Sequence, residues 1–141
     1  MNWIIANIKW IMLLSGALTC TMFYAAIAPQ AALQSFFGAS FFGASFLGTS
    51  LESGMLAEII VRNWGVLITI MGAILIYGAF NASSRTLVLI VSGISKLIFM
   101  GLVLVYGQQY LNKAGIAIVI DAVSVLLFIA YLIGDRQRAT N

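Results

Sequence analysis

The sequence predicts an all-α integral membrane protein, a four-helix transmembrane bundle with both termini in the cytoplasm. Three observations carry that prediction. The 141 residues are 62% hydrophobic and only 8% charged, too few charges to cover the surface of a soluble domain. The mean hydropathy is +1.08. The apolar residues also fall in long runs rather than in an amphipathic repeat, which marks segments whose solvent is lipid. One domain, covering residues 1–141, is the natural count at this length.

Four runs qualify as spans. The first covers about residues 10–28 and stops at Pro29, the only proline. The others cover about 56–80, 87–106 and 114–134. Each has about 19–25 residues, enough to cross a hydrocarbon core of about 30 Å at about 1.5 Å per residue. Lipid offers no hydrogen bonds to a backbone, so each span must be helical. Lys9, Arg85, Arg136 and Arg138 fall on one side of a four-span topology. The other side has Lys113 in its short loop and no cation between Pro29 and Leu56. An excess of cations marks the cytoplasmic face, so both termini are expected on the cytoplasmic side of a membrane that the chain crosses several times. Trp3, Trp10, Tyr24, Trp64, Tyr77, Tyr106, Tyr110 and Tyr131 sit near the expected helix ends, as interfacial anchors do.

Composition excludes several kinds of chemistry. There is one cysteine, Cys20, and no histidine. An intrachain disulfide, a His- or Cys-based metal centre, haem ligation and a CxxC redox pair are all ruled out. A Ser–His–Asp triad needs a histidine, and neither a Walker-type loop nor a dinucleotide glycine motif is present. The seven cations are scattered, so no nucleic-acid surface is expected. The reading is therefore non-enzymatic, with no cofactor and no metal.

The segment of about 29–55 is expected to be an external loop, and it contains a tandem repeat. Ser35-Phe-Phe-Gly-Ala is followed by Ser40-Phe-Phe-Gly-Ala, Ser45-Phe-Leu-Gly-Thr and a degenerate fourth copy. A period of five matches neither helix nor strand. Phe36, Phe37, Phe41, Phe42 and Phe46 are expected to pack on the bundle, on another chain or in the headgroup zone rather than stand in water. They form a candidate interaction loop, although slippage in a tolerant loop would also produce such a repeat.

Four ionisable residues lie in or near the spans: Glu58 and Arg62 on the second, Lys96 on the third and Asp121 on the fourth. Charges at bilayer depth cost about 2.5–3.5 kcal/mol each, and they usually face the bundle interior in pairs. Helical rise puts Arg62 about 9 Å, Asp121 about 10 Å and Lys96 about 15 Å below the outer helix ends, and the lysine stem reaches about 5–6 Å upward. The expectation is one buried network of Arg62, Lys96 and Asp121, with Glu58 at its mouth. Small and hydroxyl residues accompany the charges, namely Gly65, Thr69 and Gly72 on the second span, Ser92 and Gly93 on the third, and Ala117 and Ser124 on the fourth. Such residues permit close helix approach. The first span has no ionisable group at that depth and is expected to serve packing. The network would either fix helix register or hold a ligand.

Glu58-x3-Arg62-x2-Gly65, Gly93-x2-Lys96 with Gly101, and Asp121 resemble the pattern of the DoxX-like group of small four-helix bacterial membrane proteins, in its branch of unknown function. The resemblance covers about residues 56–134. Lys96 stands where that pattern has arginine, Asp121 where it has glutamate, and the repeat loop is an insertion. Some members of that group are linked to quinone-coupled sulfur oxidation or to membrane redox complexes.

Two functional readings follow. The first is an accessory membrane protein that acts by association, as a homo-oligomer or within a larger membrane complex, among membrane lipids. The second is a ligand-binding or carrier protein that holds a lipid, a quinone or a small anion at the Arg/Lys/Asp site.

Overall fold

The computed structural model describes residues 2–37 and 51–139. Its elements are α1 (Asn2–Cys20), α2 (Phe23–Ile27), α3 (Pro29–Phe37), α4 (Leu51–Phe80), α5 (Ala82–Tyr106) and α6 (Leu111–Ala139), with a 3₁₀ turn at Gln108–Tyr110 before α6. No strand occurs among the described residues. Four segments are long and apolar enough to cross a membrane: Trp3–Ile27, Glu58–Phe80, Ala82–Tyr106 and Gln108–Gln137.

The first span is two helices in series. At their junction the backbone tightens to i→i−3 bonds, Thr21 to Leu18 at 3.3 Å and Met22 to Thr19 at 3.2 Å. The hydroxyls of Thr19 and Thr21 donate to the carbonyls of Ser15 and Leu18, at 2.7 and 2.6 Å. Threonine hydroxyls that bond back to the preceding turn bend helices without a proline. The span also starts earlier than its apolar run, at Trp3. Lys9 does not end it, because its ammonium lies 4.6 Å from the Phe80 ring centroid, where a cation meets the negative face of the ring.

The four spans form a ring in which α1 packs on α4, α4 on α5, α5 on α6 and α6 on α1. Neighbours run antiparallel. Lys9 meets Phe80, Gly16 meets Gly72 and Ala26 meets Gly65. The start of α1 and the end of α6 therefore lie at one end, here called the terminal end, and α3 lies at the other. Between α4 and α5 the turn is a single residue, Asn81. Arg85 closes it by donating to the carbonyls of Gly78 and Ala79, at 3.3 and 3.1 Å, where a cation suits the negative end of the helix.

Glycine sets the spacing of α4 against α1 and α2. A Cβ on Gly72 would lie 2.7 Å from the Gly16 carbonyl oxygen, and one on Gly65 would lie 2.8 Å from the Ala26 nitrogen. Backbone meets backbone at both places, with the side chains of Cys20 and Ala25 close beside the contact.

The core is concentrated at the terminal end. Ile8, Met12, Leu75, Ala79, Leu89 and Phe128 are buried together there, with contributions from all four spans. Tyr131 is buried among them and is not an interfacial anchor. It sits one helical turn beyond Phe128, on the same inward face.

Part of the expected external loop is helical. Pro29 does not open a loop but starts α3, and the residues from Leu51 already belong to α4. Proline is suited to the first position of a helix, where its missing N–H is not needed. It also drives the residue before it out of the helical region, and Ala28 has φ −127° and ψ 70°. The chain therefore turns there, and α3 crosses the bundle end to pack on α2, α4 and α6. Phe36 packs with Trp64 against a second, smaller core of Ala25, Ala32, Leu33 and Val61. Phe37 is the last residue of α3. Phe41, Phe42 and Phe46 lie outside the described residues.

Candidate functional site

Lys96 and Asp121 meet as their helical phases require. The Lys96 ammonium donates to the Asp121 carboxylate across the α5–α6 interface. Their side chains are only 11% and 17% exposed, so this is an interior pair. In that setting, removing one partner leaves an uncompensated charge at a cost of about 3–5 kcal/mol. Lys96 donates a second, longer hydrogen bond of 3.4 Å to the Thr19 hydroxyl. That hydroxyl is an oriented acceptor because its own proton is already given to the Ser15 carbonyl.

Arg62 does not join this pair. Its guanidinium donates to Glu58 through Nε at 3.2 Å and Nη2 at 2.6 Å, and to the carbonyls of Ala26 and Ile27 through Nη1 at 2.7 and 3.2 Å. The expected single network is thus two separate pairs. The reason lies in the stripe that carries Arg62. Gly65, Thr69 and Gly72 face α1 and α2, where Gly65 abuts Ala25 and Ala26, the Thr69 carbonyl accepts from Cys20, and Gly72 abuts Gly16. Arg62 follows the stripe and caps the free carbonyls at the end of α2. Its side chain is 45% exposed and that of Glu58 is 37% exposed. Such a pair contributes at most about 1 kcal/mol.

A cavity of about 330 Å³ lies between the spans on the α3 side of the core. Its upper walls are apolar, formed by Met22, Trp64, Ile68, Phe99 and Ile120. Deeper in, it meets Lys96 and Asp121, then Ser92 and Ser15. Ser15 and Ser124 face each other at 3.5 Å across α1 and α6. Ser92 is different. It is 2% exposed, and its hydroxyl has no hydrogen-bond partner among the described residues. Buried hydroxyls are nearly always satisfied. At the rim stand Ser35 and Phe36 of α3, Thr21, and Lys113 of α6.

The sequence pointed to Lys96 and Asp121, with Ser92 on the face of Lys96, but not to Thr19, Trp64 or Lys113 as cavity residues. A signal existed for Thr19, since Ser15 and Thr19 share one face of the first span at i,i+4 spacing. The first span is therefore more than packing, because it supplies an acceptor to the buried ammonium.

The fold and the site together define a class, a multi-pass membrane protein with a half-open, largely apolar cavity that reaches a buried ion pair. No protein-family model, curated protein or solved structure matches the chain.

Proposed function

We propose that this protein binds a small amphiphilic molecule between its transmembrane helices, as a carrier or receptor without catalytic turnover. The observation that carries the reading is the unpartnered Ser92 hydroxyl, which lines the same cavity as the buried Lys96–Asp121 pair. Apolar walls with a few convergent polar groups are what ligand sites present. The sequence alone ranks association with a complex first. The cavity moves ligand binding ahead of it.

Lys9, Arg85 and Arg136 lie at the terminal end, and cations concentrate on the cytoplasmic face. This supports cytoplasmic termini and a cavity in the outer half of the bilayer. The DoxX-like resemblance supports a bacterial inner membrane.

Mass spectrometry of small molecules released from gently extracted protein tests the proposal. The parent should release a stoichiometric amphiphile. Ala117→Trp, which fills the cavity wall, should release none while eluting as the same species. Ile68→Trp serves if Ala117→Trp does not fold. Identical release from the parent and a folded filled variant overturns the proposal.

A further inference from the structure

The ionisable residues lining the cavity are Lys96, Asp121 and Lys113. Lys96 and Asp121 neutralise each other. Lys113 is exposed at the rim and has no hydrogen bond or ion pair among the described residues. The carboxylates described at this end, Glu58 and Asp121, are already paired with Arg62 and Lys96. Among the described residues the cavity thus carries one uncompensated positive charge, and it lies at the mouth. Further in, the polar groups form a neutral set, in which Ser92 offers both a donor and an acceptor. Between the two polar ends lies an apolar wall of Met22, Ile68 and Phe99. Lys113 and Asp121 are eight residues apart on α6, or about 12 Å along the helix axis.

We infer that the ligand is a single-chain monoanionic amphiphile with polar groups at both ends. Its carboxylate or phosphate meets Lys113 at the rim, and its hydroxyl or carbonyl meets Ser92 and the Lys96–Asp121 pair inside. The inference rests on the ligand-binding reading and adds the ligand's charge and polarity. A neutral diol leaves Lys113 without a counter-charge, and an amine is repelled by it. A plain fatty acid leaves Ser92 without a partner, which is how a polar site rejects an analogue lacking the matching group.

The full-length protein in phosphatidylcholine nanodiscs is the test system, with binding of ω-hydroxydecanoate, decanoate, decanediol and decylamine read by calorimetry. The hydroxy acid should bind about tenfold tighter than the diol or the amine, and about fivefold tighter than decanoate. Lys113→Ala should remove the preference over the diol and leave the preference over decanoate. Ser92→Ala should do the reverse. Equal binding of the diol and the hydroxy acid, unchanged by Lys113→Ala, overturns the inference while leaving a ligand cavity in place. Binding of none of the four, in the parent as in Ala117→Trp, overturns both readings. Displacement of the hydroxy acid by added phosphatidylglycerol, lost in Lys113→Ala, would assign the anion site to a lipid headgroup and also overturn the inference.

Discussion

The two ends of the bundle are built from the same four spans and from similar residues, yet one is solid and the other hollow. At the terminal end Met12, Leu75, Leu89 and Phe128 interlock with essentially no exposed surface. At the α3 end the helices leave a half-open cavity, and polar side chains meet in its inner part. The difference comes from which side chains reach the axis. Large apolar groups fill one half, and in the other serines, a threonine and an ion pair occupy the inward positions. A fully packed core has nothing to bind with, whereas a partly filled polar one carries the cost of its own unmet hydrogen bonds until a ligand arrives.

Substitutions of matched kind should respond differently at the two ends. The largest effect is expected at the ion pair. Asp121→Leu should destabilise the fold by about 3–5 kcal/mol, because Lys96 is then buried without a counter-charge. The double variant Lys96→Met with Asp121→Leu should recover most of that loss, as read by thermal unfolding in detergent. If the double variant is no more stable than the single one, the pair is not the source of the cost. At the solid end, Phe128→Ala should cost about 3–5 kcal/mol. Phe99→Ala, on the cavity wall, should cost well under half as much in the same assay. A third pair inverts the sign. Ala79→Leu should overpack the core and cost about 1–3 kcal/mol, whereas Ala117→Leu should raise stability by about 0.5–2 kcal/mol through cavity filling. Equal losses for both would show that the cavity is not available space. The smallest effect is expected for Glu58→Gln, at most about 1 kcal/mol and shrinking as salt is added. A larger, salt-independent loss would place Arg62 in a structural role that its exposure does not suggest.

The four spans were legible from hydropathy alone, because the solvent of each segment is written in its composition. Their order around the ring was not, and that is where the reading of the site went astray. Depth is a one-dimensional quantity, and it correctly brought Lys96 to Asp121. Arg62 lies in the same layer, but its helical face depends on which neighbour α4 meets through Gly65 and Gly72. That choice is made by backbone approach to α1, and charge pattern does not report it. Pro29 misled for a related reason, since the same restriction that ends one helix can start another. Thr19 was missed because a hydroxyl in a span is inconspicuous until a cation comes within reach of it.

Gly16, Gly65 and Gly72 carry a consequence for kinship. Charges can be exchanged, as lysine for arginine or aspartate for glutamate, and a cavity can change its lining with its cargo. A backbone contact that admits only hydrogen offers no such latitude. Distant kin of this chain should therefore be sought by a glycine in the first span that meets one in the second, as Gly16 meets Gly72, with a further glycine seven positions earlier in the second span, where Gly65 meets Ala25 and Ala26.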